Sequence, residues 1–145
     1  MLRGIPEIIQ PDLMAALMQM GHGDDIVFGD INFPSYSMAP RCVFAKGLKI
    51  TDLLGAVLDF MPLDSFEKGS VAIMNPGNDY AGMVPPIWEE YDKIIRDKDF
   101  AGGFKGFEKM ERFDFYARAK KSFIAVQTSE DSLYACMILR KGVIG

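Results

Sequence analysis

The chain has 145 residues, 49% of them apolar, and a formal net charge of −4. That length and apolar content suit one domain with a single substantial core. The sixteen basic residues are spread along the chain rather than gathered into a stripe, which argues against a nucleic-acid partner.

In chain order, Met1 to Pro6 lacks the apolar run and small-residue cleavage site of a signal peptide, and no later stretch approaches the roughly 20 apolar residues of a bilayer span. The expectation is a soluble, cytoplasmic protein with no membrane partner. Pro11 followed by Leu13, Met14, Leu17, Met18 and Met20 predicts a helix with proline in its first turn and Gly21 as its stop. Ile26-Val27-Phe28 reads as a buried strand, and Cys42-Val43-Phe44 as a second short one after a loop marked by Asn32, Pro34, Ser35 and Pro40. Leu53, Leu54, Val57, Leu58 and Met61 recur at helical spacing until Pro62, with Thr51 or Asp52 available as N-cap.

Val71 to Met74 is the next strand, and Asn75 to Pro86, rich in Gly, Pro and Asn, is a loop. Trp88, Tyr91, Ile94 and Ile95 mark another helix, after which Phe100 to Phe107 reads as a flexible connector. Asp114 can cap a short helix running to Lys121, and two strands, Phe123 to Gln127 and Tyr134 to Leu139, finish the chain as a possible antiparallel hairpin. Alternating strands and helices without an internal repeat predict an α/β fold, a mixed β-sheet covered by helices on both faces as an α/β/α three-layer domain over residues 1–145. Ten methionines and many aromatics leave apolar surface that suits oligomerisation.

For chemistry, the run from Met20 to Pro34 holds the only histidine, His22, between Gly21 and Gly23, and the strand that follows exits at Asp30, which is expected to place a carboxylate near the imidazole. An imidazole there can exchange protons near neutrality and approach a ligand closely, though a lone histidine near a helix end is more often a capping or surface residue than a catalyst. Cys42 and Cys136 are too few and too far apart for a disulfide framework or a zinc cluster, and both read as buried thiols. Asp24-Asp25 is too short for a calcium loop. Taken singly, Asp64 suits a turn, Tyr116 and Tyr134 suit buried rings, and Arg112 a surface pair with Glu111.

Four stretches together carry more. Leu2 to Leu13 with Arg-Gly-Ile-Pro and Pro-Asp-Leu, Met20 to Pro34 with Met-Gly-His-Gly-Asp and Asn-Phe-Pro, Glu111 to Lys121, and Tyr134 to Val143 with Ile-Leu-Arg-Lys-Gly-Val resemble the fucose mutarotase and ribose pyranase family over nearly the whole chain. Gly23 and Phe33-Pro34 favour the fucose branch. The resemblance implies an isomerase that interconverts the α and β anomers of L-fucose without cofactor or metal, a related D-ribose pyranase being the alternative and a noncatalytic sugar-binding subunit a second. It makes His22 the proton donor and gives Asp64 and Tyr116 catalytic roles. Asp30, Met74, Arg112, Tyr134, Ala135 and Cys136 fall on sugar-binding positions. The family commonly has asparagine where this chain has Cys136, an amide that a thiol replaces poorly. Homo-oligomers with sites near subunit contacts are also implied, decameric rings being common among bacterial members and smaller assemblies among others.

Overall fold

Strand β1 (Asp25–Gly29) is buried along its whole length, as the unbroken run Ile26-Val27-Phe28 requires of a strand covered on both faces. Its side chains alternate between two cores. Ile26 and Phe28 join one with residues of α1 (Pro11–Gln19), α3 (Ile50–Leu58) and α4 (Ile87–Lys98). Val27 joins the other with Phe33, Phe115 and Ala119, against which Met38 packs; these come from α2 (Ser35–Met38), α5 (Arg112–Lys120) and the loop after β1. The expected three layers are therefore present, α1, α3 and α4 on one face of the sheet and α2 and α5 on the other. The computed structural model describes residues 1–145.

The remaining strands are β2 (Cys42–Ala45), β3 (Val71–Met74), β4 (Glu108–Met110), β5 (Ile124–Thr128) and β6 (Met137–Arg140), in the spatial order β2-β5-β1-β6-β3-β4. β5 runs parallel to β1 and β2, and β4 parallel to β3, whereas β6 is antiparallel to both β1 and β3. Only β6 points the other way. The mixed sheet matches the expectation; the expected hairpin of the last two strands does not form, because β1 lies between β5 and β6 and pairs with each. Two apolar strands that follow one another gain more by flanking a third buried strand on both edges than by pairing with each other alone.

Local departures have simple causes. The chain leaves strand geometry across Tyr134 to Cys136, so β6 begins at Met137 rather than Tyr134. β4, just beyond the expected connector, is a mostly exposed edge strand without an apolar pattern. The cap of α5 is Glu111, whose carboxylate accepts from the backbone N–H of Phe113 (2.8 Å) and Asp114 (3.4 Å), so Asp114 sits inside the first turn. In α3 the N-cap is Lys49 rather than Thr51 or Asp52, and the Asp52 carboxylate accepts the Lys49 N–H at 2.9 Å. Cys42 is half-buried rather than buried.

One ion cluster ties three of these elements together. Asp25, at the head of β1 and only 7% exposed, receives two hydrogen bonds from Arg118 of α5 (2.8 and 2.9 Å) and two from Arg140 of β6 (3.1 and 3.3 Å). Each guanidinium meets the carboxylate as a fork, the geometry with the best return for desolvation. Removing one partner of such a buried set leaves uncompensated charge and costs about 3–5 kcal/mol. Asp25→Ala is therefore expected to lose that much stability in urea unfolding, and a loss below about 1 kcal/mol, the worth of a surface pair, would contradict the assignment.

Candidate functional site

The carboxyl ends of β1, β3 and β4 open onto a cleft of roughly 400 Å³, closed on one side by the chain entering β6. In open sheets of this kind the space beyond the strand carboxyl ends is where ligands settle, because the loops diverge there. Asp30 follows β1, Met74 ends β3, and Arg112 and Tyr116 stand one turn apart on α5. Tyr134 and Cys136 form the opposite wall. Six of the nine sequence-derived site residues thus line one concavity. Ala135, fully buried beneath it, contributes no lining surface.

Each side chain is held. The Asp30 Oδ1 accepts the N–H of Asn32 (2.9 Å), an Asx turn, while the Asp30 N–H donates to the Cys136 sulfur (3.4 Å). Arg112 donates from Nε to the Tyr116 hydroxyl (3.3 Å), and the guanidinium also lies over the Tyr116 ring, 5.3 Å from its centroid. Phe33 meets the Tyr116 ring edge-on at 5.8 Å. Burial, with the Asp30 carboxylate as a second cause, pushes the Cys136 thiol well above its ordinary range, so it remains a neutral thiol.

Tyr134 is the only non-glycine residue with positive φ, 54°, a conformation that costs an L-residue about 1–2 kcal/mol. Its hydroxyl accepts the Gly77 N–H at 3.4 Å, and its ring meets Tyr80 edge-on at 5.8 Å. The loop after β3 is thereby joined to the β6 side of the cleft.

His22 and Asp64 are elsewhere. His22 precedes β1 and Asp30 follows it, so the five residues of β1, roughly 17 Å of extended chain, lie between them. The expected proximity of His22 and Asp30 does not occur within one chain: a strand that is straight and buried carries its two ends apart. At the far end His22 Nε2 lies 3.3 Å from Asp64 Oδ1. Asp64 is 1% exposed, and the same oxygen accepts the Phe66 N–H at 3.1 Å. The backbone at Leu63 and Asp64 fits between Gly103 and Gly142, where a Cβ would come within 2.5 Å of the Leu63 carbonyl oxygen in either case. Any side chain at those two positions would displace the carboxylate that meets His22.

These two groupings contain residues that sequence reasoning did not select. Asn75, Asp79 and Leu133 line the cleft, and the exposed ring of Phe66 stands 5.6 Å from the imidazole. Phe66, in a turn-rich stretch, carried no chemical signal; Phe33 did, through its Asn-Phe-Pro context. No three His, Cys, Asp or Glu side chains converge as a metal-ligating group.

A model of the RbsD / FucU transport protein family matches residues 3–144. The chain belongs to this family. It is similar to the fucose mutarotases of Homo sapiens and Mus musculus, at 45% and 43% identity, covering 99% of this chain and 94% and 95% of theirs. It is also similar to the fucose mutarotase of Streptococcus pneumoniae, whose crystal structure is in complex with L-fucose. There the identity is 42% and the TM-score 0.91, over 99% of this chain and 100% of that one. The geometry at Cys136 is specific: the sulfur serves as acceptor for the Asp30 backbone N–H.

A buried thiol held above its ordinary range has little thiolate, the reactive form. In the folded protein at pH 8, Cys136 is expected to resist a disulfide reagent, with Cys42 the faster of the two, and both should react once the chain is unfolded. Two thiols titrating at the rate of free cysteine in the folded state would contradict this packing.

Proposed function

We propose that the protein is an L-fucose mutarotase, an isomerase acting at the anomeric centre of a monosaccharide. The observation that carries the reading is the full-length likeness to fucose mutarotases, one of them in complex with L-fucose. The cleft suits it: Asp30 and Arg112 offer an acceptor and a donor for sugar hydroxyls, while Phe33, Met74 and Tyr134 offer apolar surface for the ring and its methyl group.

Mutarotation opens and recloses a hemiacetal. One proton leaves the anomeric hydroxyl and one reaches the ring oxygen; reclosure on the other face of the carbonyl returns both. The reaction consumes nothing beyond the sugar and needs two groups that can exchange protons near neutrality. His22 is the proton donor in this proposal. With Nε2–H directed to Asp64, its Nδ1 is the nitrogen left to trade a proton with substrate. Asp64 orients the ring and balances its charge when it is protonated. Tyr116, whose hydroxyl oxygen receives the Arg112 hydrogen bond, is the counterpart in the cleft.

Because β1 holds His22 away from the cleft, both groups reach one sugar only if a second copy of the chain brings its His22 and Asp64 to the cleft of the first. We propose such a homo-oligomer, in the decameric ring that the family resemblance implies. Exposed aromatic and aliphatic side chains stand at both places. Phe66 (71% exposed) is beside His22, Phe113 (71%) is beside Tyr116, and Leu133 (55%) is at the cleft. Such surface on an isolated chain marks an interaction face. No helix is long and apolar enough to cross a membrane, and both cysteines are free, in keeping with the reducing cytoplasm to which we assign the protein.

Saturation transfer between the anomeric protons of L-fucose tests the activity. Added protein should accelerate exchange, more for fucose than for ribose; exchange no faster than in buffer overturns the proposal, and a preference for ribose transfers it to pyranase chemistry. His22→Ala should lose about 10²- to 10⁴-fold of the acceleration, and wild-type rates in that variant would reject the role of His22. The two-copy site has its own test. His22→Ala and Arg112→Ala chains, each impaired alone, should recover about a quarter of wild-type activity when dissociated, mixed equally and reassembled, since that share of contacts pairs an intact His22 face with an intact cleft. A mixture no more active than the mean of its two components contradicts it.

A further inference from the structure

We infer that Trp88 and Tyr91 of α4 are positioning residues for the sugar cleft, acting through the left-handed turn at Tyr134; the inference rests on the function proposed above. Neither residue lines the cleft. They stand three residues apart, on one face of α4, and are almost wholly buried (5% and 0% exposed). Trp88 donates from its indole nitrogen to the Tyr134 carbonyl at 3.0 Å, and Tyr91 from its hydroxyl to the Ala135 carbonyl at 2.9 Å. Two consecutive carbonyls are thus turned away from the cleft into the α4 layer, while the side chains of Tyr134 and Cys136 stay on the cleft wall.

A tyrosine in the left-handed region persists only where its surroundings over-determine it. Here the two donors from α4 supply that constraint from behind, and the Gly77 N–H on the Tyr134 hydroxyl supplies it from the front. The Tyr91 hydroxyl is a dependable donor, because burial above all, with Glu130 next, pushes its pKa up. Loss of either donor leaves a buried carbonyl without a partner. The backbone then has reason to relax toward ordinary dihedrals, which moves the Tyr134 ring and the Cys136 sulfur that accepts from Asp30 at 3.4 Å. His22 and Asp64 lie at the other end of β1 and are not moved. The expected signature is weaker sugar binding with the chemical step preserved.

The test measures anomeric exchange against L-fucose concentration for wild type, Tyr91→Phe, Trp88→Phe and Ile95→Val. The last loosens a fully buried α4 side chain without touching the turn, and thermal unfolding of all four monitors stability. Tyr91→Phe should raise KM about tenfold with kcat within about twofold of wild type, and Trp88→Phe, which leaves Tyr91 in place, should shift KM in the same direction. Ile95→Val should lower Tm with KM unchanged. If either Phe variant fails to fold, the other decides. An active wild type with unshifted KM in the folded variants overturns the inference alone, because the hydrogen bonds are then only structural. A wild type that neither binds nor exchanges fucose overturns the proposed function, and the inference with it.

Discussion

The Asp25 carboxylate, gripped by the guanidinium forks of Arg118 and Arg140, sets the frame for everything at both ends of the sheet. Asp25 and Arg140 are opposite residues in the antiparallel pairing of β1 with β6, so the cluster pins that register at its polar end. A slip of one residue would turn every side chain of β6 to the other face. With the register held, Cys136 arrives beside Asp30 and Lys141 beside Asp24, where the backbone N–H of Lys141 donates to the Asp24 carbonyl at 2.9 Å. Arg118 extends the same grip to α5. The helix that presents Arg112 and Tyr116 to the cleft is therefore oriented by a charge pair at Arg118, two residues past Tyr116 and six past Arg112, at the opposite end of β1 from the cleft itself.

That arrangement also separates the two groupings of side chains on which the proposed function draws. A straight, buried central strand is a spacer, and here it keeps the His22–Asp64 pair and the cleft apart by its own length. On the proposed assembly, each chain supplies the binding surface and Tyr116 from the carboxyl end of its sheet and the His22 donor with its Asp64 partner from the other end, and the reaction becomes a property of the contact between copies. Rigid elements suit both tasks. Asp64 is fixed by backbone neighbours that only glycine permits at 103 and 142, and the cleft wall is fixed by a strained turn that α4 holds from behind.

Much of this was legible in the sequence, and the residues show why the rest was not. Ile26-Val27-Phe28 and Val71 to Met74 announced buried strands, and Pro11 announced a helix start, because those signals are local. The order of strands is not local: an apolar run that suits a sheet covered on both faces carries no mark of its partner, so the final two strands could be read as a hairpin. β4 was invisible because an exposed edge strand needs no apolar pattern. At Tyr134 the left-handed turn gave no sign, since it rests on contacts from Trp88 and Tyr91, more than forty residues earlier, and not on a glycine. His22 and Asp30 differ in another way: nearness along the chain is not nearness in space when a buried strand stands between two residues. The roles proposed for Asp64 and Arg112 rest on likeness to a family; taken alone, Asp64 suits a turn and Arg112 a surface pair.

The most direct measurement is a crystal structure of the assembled protein with L-fucose bound. The account predicts the sugar among Asp30, Arg112, Tyr116 and Tyr134 of one copy, with the His22 imidazole of a second copy within hydrogen-bonding distance of its ring or anomeric oxygen. A sugar seated in the cleft with no His22 from any copy within reach would contradict it, as would a sugar bound against His22 away from the cleft.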